Sequence, residues 1–297
     1  MQFDAMCIQC LIRRQARLAE RNGEPEKTYR YLRDVLQLLL DAPEGVAAPY
    51  MIPLFDDAYS RYWPEDDYYG PLKAASNREM LARLPAMEAM ADGAADPLLA
   101  ALRLAQAGNF IDYGTMASQV DLGEIDRQLA ASQSSPVDEA VYRALRADLA
   151  AARELLYLGD NAGEIVADRV FLRVLRQTYP SLRITFAVRG GPALNDATRE
   201  DAEAAGIAAY ADVIDNGTRI PGTELAYAGP ALRAAADRAD VVFSKGQANF
   251  ETLSGCGKNV YYSFLCKCER FTRWFHVPMM TPMLVRELEL RIDSPYC

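Results

Sequence analysis

Carboxylate and amide side chains directly follow two apolar runs in the second half of the chain. Asp160 and Asn161 come after ELLYL in the motif GDNAGE, and Asn195 and Asp196 come after ITFAV in the motif RGGPALND. Their oxygen atoms are ligands that Mg²⁺, Mn²⁺ and similar divalent ions prefer. Either pair alone could instead cap a helix, but the same residue types recur at successive strand ends. The pattern therefore favours a metal site formed by Asp160, Asn161 and Asp196.

A lysine and a glycine-rich loop in the same region are typical of phosphate binding. Lys245 follows the apolar run DVVFS and precedes a glycine, so we expect its ammonium to meet a phosphate. Arg189 and Gly190 follow ITFAV, where two glycines permit close approach of the backbone to a ligand. Glu164 begins the next helix and is expected to reach the same site, whereas Asp168, one turn further on, is interpreted as a charge that complements the helix dipole.

The cysteines and the single histidine restrict the remaining chemistry. Cys7 and Cys10 have CxxC spacing, and Cys266 and Cys268 have CxC spacing. A four-cysteine zinc site that joins the two ends of the chain is one interpretation, and buried unpaired thiols are the other. His276 is the only histidine, which excludes a multi-histidine zinc site, and its apolar surroundings indicate a packed side chain rather than a catalyst.

The elements that must position these residues change character near the middle of the chain. Residues 1–150 contain long alanine- and leucine-rich stretches with helical spacing, and residues 151–297 alternate short apolar runs with helical patterns. This order predicts a helical N-terminal domain and a Rossmann-like, doubly wound α/β domain with a mainly parallel sheet. The loops that leave the carboxyl ends of parallel strands converge on one crevice. The loop DNGTRIPGT is interpreted as a wall of that crevice.

Composition narrows the class of protein. The 297 residues are 51% hydrophobic and 25% charged, with a formal net charge of -9, which indicates a folded protein. The absence of a block of lysine and arginine argues against a nucleic-acid ligand. No apolar run is long enough for a membrane span, and the first residues lack the layout of a secretory signal. We therefore expect a cytoplasmic protein without a membrane partner. The oligomeric state is not readable from the sequence.

The ordered motifs GDNAGE, RGGPALND, DNGTRIPGT, SKGQANFE and FLCKC resemble the metal-dependent damage-control phosphatase family, also known as domain of unknown function 89. The similarity is to the smaller branch typical of archaea and bacteria, and it extends through MCIQC, YGPLKAASN and AGNFIDYG to nearly the whole chain. The resemblance places the metal ligands on Asp160, Asn161 and Asp196 and the phosphate-binding lysine on Lys245. It also points to Glu164 as a substrate contact, and to Asn77 and Asp112 as residues that reach over the cleft.

The resemblance implies hydrolysis of phosphate monoesters of small metabolites, such as sugar phosphates or damaged phosphometabolites. The cofactor would be Mg²⁺, Mn²⁺, Co²⁺ or Ni²⁺, with Asp160 and Lys245 as the catalytic residues. The attacking group is left open between a water molecule on the metal and Asp160 itself. Two alternatives are an S-adenosylmethionine-dependent carboxyl methyltransferase and a non-catalytic protein that binds a metal or a metabolite.

Overall fold

The computed structural model describes residues 1–116 and 122–290, without the side chains of residues 111–116 and 122. Asp112 is among the latter, so its predicted role lies outside the described side chains. The first half of the chain is helical, as predicted. Its α-helices are α1 Ala5–Glu20, α2 Pro25–Leu40, α3 Met51–Tyr62, α4 Tyr69–Asp92, α5 Pro97–Met116, α6 Leu122–Ser132 and α7 Glu139–Ala151.

The second half alternates strands with helices around one sheet. The strands are β1 Glu154–Leu158, β2 Arg183–Val188, β3 Asp212–Asp215, β4 Val241–Lys245, β5 Val260–Leu265 and β6 Pro282–Arg286. The helices are α8 Glu164–Thr178, α9 Arg199–Ala204, α10 Pro230–Arg238, α11 Gln247–Leu253 and α12 Glu269–Phe275. The strand order is β3-β2-β1-β4-β5-β6, and only the β5–β6 pair is antiparallel. The predicted Rossmann-like α/β fold is confirmed.

The hydrophobic core continues across the change from helices to strands. Met80 of α4 and Leu102 of α5 belong to the same buried cluster as Tyr157 of β1 and Phe171 of α8. Helices α1 to α3 have a separate cluster, which includes Tyr31. The predicted boundary near residue 150 coincides with the turn between α7 and β1, but α4 and α5 pack against the α/β part. A division into two domains at this point remains a prediction.

Two elements differ from the sequence-based prediction. The spacing in GTELAYAGPALRAAADRA predicts one helix over residues 222–239, but α10 begins only at Pro230, because proline suits the first helical turn and the preceding glycine favours a break. Strand β6 was not expected, since a proline opens its short run PMLVR. Proline is tolerated at the first residue of a strand and on edge strands. Pro282 is the first residue of β6, and β6 is an edge strand. Among the described residues, no helix has the length and apolar character needed to cross a membrane.

Candidate active site

Backbone hydrogen bonds tie together the two loops that carry the predicted metal ligands. Strand β1 lies between β2 and β4, so the loops after these three strands meet at one edge of the sheet. The amide of Ala162 donates to the carbonyl of Asn195 at 2.9 Å, and the amide of Ala197 donates to the carbonyl of Asp160 at 2.7 Å. These bonds place Asn161 opposite Asp196 in an isolated antiparallel bridge.

Helix capping does not explain the acidic and amide residues of these loops. The N-cap of α8 is Gly163, with φ 79° and no side-chain cap hydrogen bond. The N-cap of α9 is Thr198, which forms a capping box with Asp201. Asp160 and Asp196 therefore lie in the loops without capping the helices that follow, so the capping alternative is wrong for both.

Two amides hold the carboxylate of Asp160. The side-chain nitrogens of Asn109 and Asn161 lie 3.1 and 2.7 Å from Oδ2 of Asp160. The same two nitrogens lie 2.8 and 3.0 Å from Oε2 of Glu164. Gly246 allows this packing, because a Cβ atom there would stand 2.0 Å from Oδ2 of Asp160. The position of the Asp160 side chain is thus set from three separate segments of the chain.

Lys245 is fully buried in an ion-pair cluster. Its ammonium lies 2.6 Å from Oε1 of Glu164 and 2.8 Å from Oδ1 of Asp168, and it donates to the carbonyl of Ala105 at 2.8 Å. Asp168 Oδ1 also accepts a hydrogen bond of 2.7 Å from the hydroxyl of Tyr157. All three N–H bonds of Lys245 have acceptors, so contact with a phosphate would require it to give up one of them. Its phosphate role stays a prediction.

The charges in this cluster shift one another's pKa values. Burial raises the pKa of Asp168 to about 6, and the negative charge of Glu164 adds to this while Lys245 opposes it. Burial also acts to raise the pKa of Glu164, but the charge of Lys245 and hydrogen bonds from Lys245 and Asn109 outweigh it, so that pKa lies below its usual value. The pKa of Lys245 is raised, since its two carboxylate partners outweigh burial.

Arg189 is paired with a predicted metal ligand. Its Nε donates to Oδ2 of Asp196 at 2.6 Å, and its Nη2 lies 3.2 Å from the carbonyl of Gly159 and 3.9 Å from Oδ1 of Asp160. Burial raises the pKa of Asp196, although the charge of Arg189 acts against it. Within the described part of the chain, Nη1 of Arg189 is buried without a hydrogen-bond partner. Since Nε and Nη2 of Arg189 already have acceptors, Nη1 is the side-chain nitrogen that the predicted substrate contact would have to use.

The donor chemistry of Asp160, Asn161 and Asp196 fits a hard divalent cation. Two carboxylates and an amide provide oxygen donors, and the glycine at position 246 lets the carboxylate of Asp160 lie where a Cβ atom would clash with it. The amide nitrogen of Asn161 faces the carboxylates, while its oxygen accepts from Asn195 at 3.0 Å. Coordination through that oxygen requires rotation of the amide, because amide nitrogen is not a metal donor.

The cysteines do not form the zinc site considered from the sequence. No group of three or more histidine, cysteine, aspartate or glutamate side chains among residues 1–116 and 122–290 could hold a metal. Cys7, Cys10, Cys266 and Cys268 are free thiols. Cys266 is buried in the apolar core, and Cys7 lies 3.5 Å from Nη1 of Arg270. The structure therefore does not support the zinc interpretation and agrees with unpaired thiols.

A cleft of about 420 Å³ lies beside the RGGPALND loop. Its wall includes Arg189 and Gly190, both predicted to bind substrate, together with Tyr69 and Lys73 at the start of α4 and Arg199 of α9. The backbone of Gly190 is fixed, because its amide donates to the side chain of Asn216 and the carbonyl of Thr218. The cleft volume falls in the range of about 300–1,000 Å³ of small-molecule sites.

Sequence reasoning missed four residues that position the site. Asn109 contacts Asp160 and Glu164 from helix α5, and its signal was an amide in a mainly apolar helix. Asp168 shares a helix face with Glu164, so its i, i+4 spacing already contained the signal. Asn216 lies in the loop DNGTRIPGT, which was interpreted only as a wall of the crevice, yet its side chain accepts a hydrogen bond from the amide of Gly190. No local signal marks Tyr157 as the partner of Asp168.

Nearly the whole chain matches the model of one protein family. The family model described as the damage-control phosphatase ARMT1-like domain matches residues 3–280. The chain belongs to this family. The resemblance noted from the ordered motifs is thereby confirmed for nearly the whole length of the chain.

Relatives of this damage-control phosphatase family member are archaeal proteins. A damage-control phosphatase of Pyrococcus horikoshii is 33% identical over 180 residues, which cover 60% of this chain and 61% of that protein, less than two thirds of its length. A damage-control phosphatase of Archaeoglobus fulgidus is 30% identical over 212 residues, 70% of this chain and 72% of that protein. An uncharacterized protein of Methanocaldococcus jannaschii is 28% identical over 89% of this chain and 88% of its own length.

A solved structure has the same fold as this family member. The crystal structure of a DUF89 family protein from Pyrococcus horikoshii superposes with a TM-score of 0.85 at 24% sequence identity. The superposition covers 97% of this chain and 99% of that one. The arrangement of helices and strands described above is therefore the family's fold over the whole matched length.

Proposed function

We propose that the protein is a metal-dependent phosphatase that hydrolyses phosphate monoesters of small metabolites. The observation that carries the proposal is an excess of buried negative charge in the site. Two buried cations, Arg189 and Lys245, share the site with four buried carboxylates, those of Asp160, Glu164, Asp168 and Asp196. When all six groups are ionised, the net charge of the site is therefore -2. Buried charge without compensation is costly. A divalent cation has the charge that balances this excess.

The metal would be held by Asp160, Asn161 and Asp196, at the edge of the sheet where the loops after β1 and β2 are joined. When bound, a divalent ion supplies positive charge that polarises a phosphate oxygen and stabilises the transition state. Mg²⁺, Mn²⁺, Co²⁺ and Ni²⁺ all accept oxygen ligands of this kind. Two relatives are named damage-control phosphatases, which supports hydrolysis rather than methyl transfer.

The remaining residues of the chain hold the reacting groups in place. Asn109 and Glu164 orient Asp160 and Asn161 through the paired amide contacts, which fixes the donors before substrate binds. Lys245 neutralises Glu164 and Asp168 from behind the site. Arg189 donates to Asp196, and its buried Nη1 has no hydrogen-bond partner in the described part of the chain. We propose that the substrate occupies the cleft along Arg189 and Gly190.

The test is an assay of purified protein on a panel of sugar phosphates with each of Mg²⁺, Mn²⁺, Co²⁺ and Ni²⁺ and with a chelator. We expect turnover only with metal, and a decrease in kcat of at least about 100-fold in Asp160→Asn. The exposed carboxylate Asp237, paired with Lys258 at the surface, provides the control Asp237→Asn, which should retain full activity. Turnover that persists in the chelator, or that Asp160→Asn leaves undiminished, would contradict the proposal.

A further inference from the structure

Two lysines near the site differ in their access to substrate. Lys245 has a fully buried side chain and three acceptors for its three N–H bonds. Lys73, on the first turns of α4, lines the cleft and has a side chain that is 14% exposed. Moving Lys245 onto a ligand would leave Glu164 or Asp168 buried without its partner, which is costly. Lys73 has no such constraint.

The contacts of Lys73 leave donors for a ligand. Its ammonium lies 2.8 Å from Oδ2 of Asp201, and this is its one ion pair among residues 1–116 and 122–290. An ammonium has three N–H donors. Asp201 does not depend on Lys73 alone, because it also accepts from the amide and hydroxyl of Thr198 and from the side chain of Asn77. Lys73 can therefore share its charge between Asp201 and an anion.

The position of Lys73 connects the cleft with the metal-binding loops. Lys73 is tied through Asp201 to Thr198, which follows Asp196 by two residues. It shares the cleft wall with Arg189, whose Nη1 is buried and lacks a hydrogen-bond partner in the part of the chain that the structure describes. Lys73 thus brings unused donors to a wall that also carries the backbone of Gly190. An anion with several acceptor oxygens is the ligand that such a wall would bind.

We propose that Lys73 is a substrate-binding residue whose ammonium contacts the phosphate group in the cleft, with Asp201 holding the side chain in position. The inference rests on the proposed phosphatase function and deepens it, because it adds Lys73 of α4 to the residues that bind the phosphate group. The helical half of the chain then supplies part of the phosphate-binding site, and the α/β half supplies the metal ligands.

The experiment compares Lys73→Met with the wild-type protein in steady-state kinetics on the best sugar phosphate of the panel and in inhibition by inorganic phosphate. A charge-assisted hydrogen bond contributes about 1.5–3 kcal/mol, so we expect KM and the inhibition constant of phosphate to rise by about 10- to 100-fold. The value of kcat should remain within about threefold, since the loss is in binding rather than in transition-state stabilisation. Lys73→Arg, which keeps the charge, should restore much of the affinity.

A structural role of Lys73 would give a different result. If the ammonium only held Asp201, Lys73→Met would leave the inhibition by inorganic phosphate unchanged, and Lys73→Arg would behave like Lys73→Met. Unchanged inhibition by phosphate in Lys73→Met overturns the inference. Lys27→Met, at an exposed lysine paired with Glu24 on α2, is the control for loss of a surface charge and should leave both constants unchanged.

Failure of the inference can be told apart from failure of the proposed function. Titration calorimetry with inorganic phosphate in the presence of Mn²⁺ measures binding without turnover. Weaker phosphate binding by Lys73→Met than by the wild type supports the inference even if no panel substrate is hydrolysed. An active wild-type enzyme whose KM and phosphate affinity are unaffected by Lys73→Met would leave the proposed function standing and remove Lys73 from the substrate site.

Discussion

The side-chain nitrogen of Asn109 lies 3.1 Å from Oδ2 of Asp160. Because Asn109 belongs to α5 and Asp160 follows β1, a helix of the N-terminal half contacts the first carboxylate of the proposed metal site directly. The same nitrogen reaches Glu164 at 2.8 Å, and Glu164 is paired with Lys245. Asn109 therefore connects the carboxylate of Asp160 with the buried ion-pair cluster of Glu164 and Lys245.

Replacement of Asn109 by alanine should weaken metal binding. The change removes a hydrogen bond from Asp160 and another from Glu164, and loss of such a supporting contact typically lowers metal affinity or activity by about 10- to 100-fold. We expect the Mn²⁺ concentration that gives half-maximal activity to rise by that factor, and titration calorimetry with Mn²⁺ to show the same shift. Gln106→Ala is the matched control, because Gln106 is a buried amide of α5 that contacts the carbonyl of Met283 instead. An equal effect in both variants would mean that only the packing of α5 was disturbed.

Replacement of Gly246 by alanine should displace Asp160. A Cβ atom at this position would lie 2.0 Å from Oδ2 of Asp160, and the backbone of Gly246 has φ +80°. Displacement of a catalytic group by about 1 Å can cost about 100-fold in rate, so we expect kcat to fall by that order. Gly255→Ala provides the control, since Gly255 has φ +87° and open space around it. Gly255→Ala should lose about 1–3 kcal/mol of stability from backbone strain alone. Gly246→Ala should lose more, because its Cβ atom would also clash with Asp160, and only Gly246→Ala should lose activity.

Replacement of Lys245 by methionine should destabilise the fold as well as the site. The change leaves Glu164 and Asp168 buried without their cation, and removal of one partner from a buried ion pair costs about 3–5 kcal/mol. Urea denaturation followed by circular dichroism measures this loss. Lys258→Met, at a surface pair with Asp237, should cost less than about 1 kcal/mol. The double variant Lys245→Met/Glu164→Gln should recover part of the stability. A loss in Lys245→Met no larger than in Lys258→Met would show that the buried cluster is not essential to the fold.

The stability of the protein should carry a pH-dependent contribution from Asp56 of α3. Burial raises the pKa of Asp56 to about 6, although the charges of Arg14 and Arg219 act against it, whereas an unfolded aspartate titrates near about 3.9. The folded protein thus binds the proton more tightly, so this contribution is present below about pH 4 and is lost as the pH rises through about 6. The free energy of unfolding of the wild type relative to Asp56→Asn should fall over this window. Urea midpoints measured from pH 4 to pH 7 test this, with Ser60→Ala as a control without a titratable group. A constant difference across the window would contradict it.

The order of residue types along the chain was sufficient to predict the fold and the edge of the sheet that carries the site. Short apolar runs that alternate with helical spacing are local properties of the sequence. The runs ELLYL, RITFAV, AAYADVID, DVVFS and NVYYSFL therefore predict five of the six strands. The loops that carry Asp160 and Asp196 follow from this alternation, because the topology of parallel strands brings their carboxyl ends to one edge.

The partners of the charged side chains were decided by tertiary structure. Lys245 was expected to meet a phosphate because it stands at a strand end beside a glycine, but helices α5 and α8 cover it and supply Ala105, Glu164 and Asp168 as acceptors. Asp168 was assigned to the helix dipole, and its burial depends on the packing of α8 against the sheet. No local pattern encodes which distant element will cover a strand end.

The sequence by itself thus determined the fold class, the family and the residue types available at the site, since each of these follows from local pattern or motif order. Only the tertiary structure decided that Asn109 and Lys73 of the helical half come to the loops of the α/β half. These contacts join residues far apart in the chain, and they exist because the shared core packs α4 and α5 against α8 and so places their polar side chains beside the metal-binding loops.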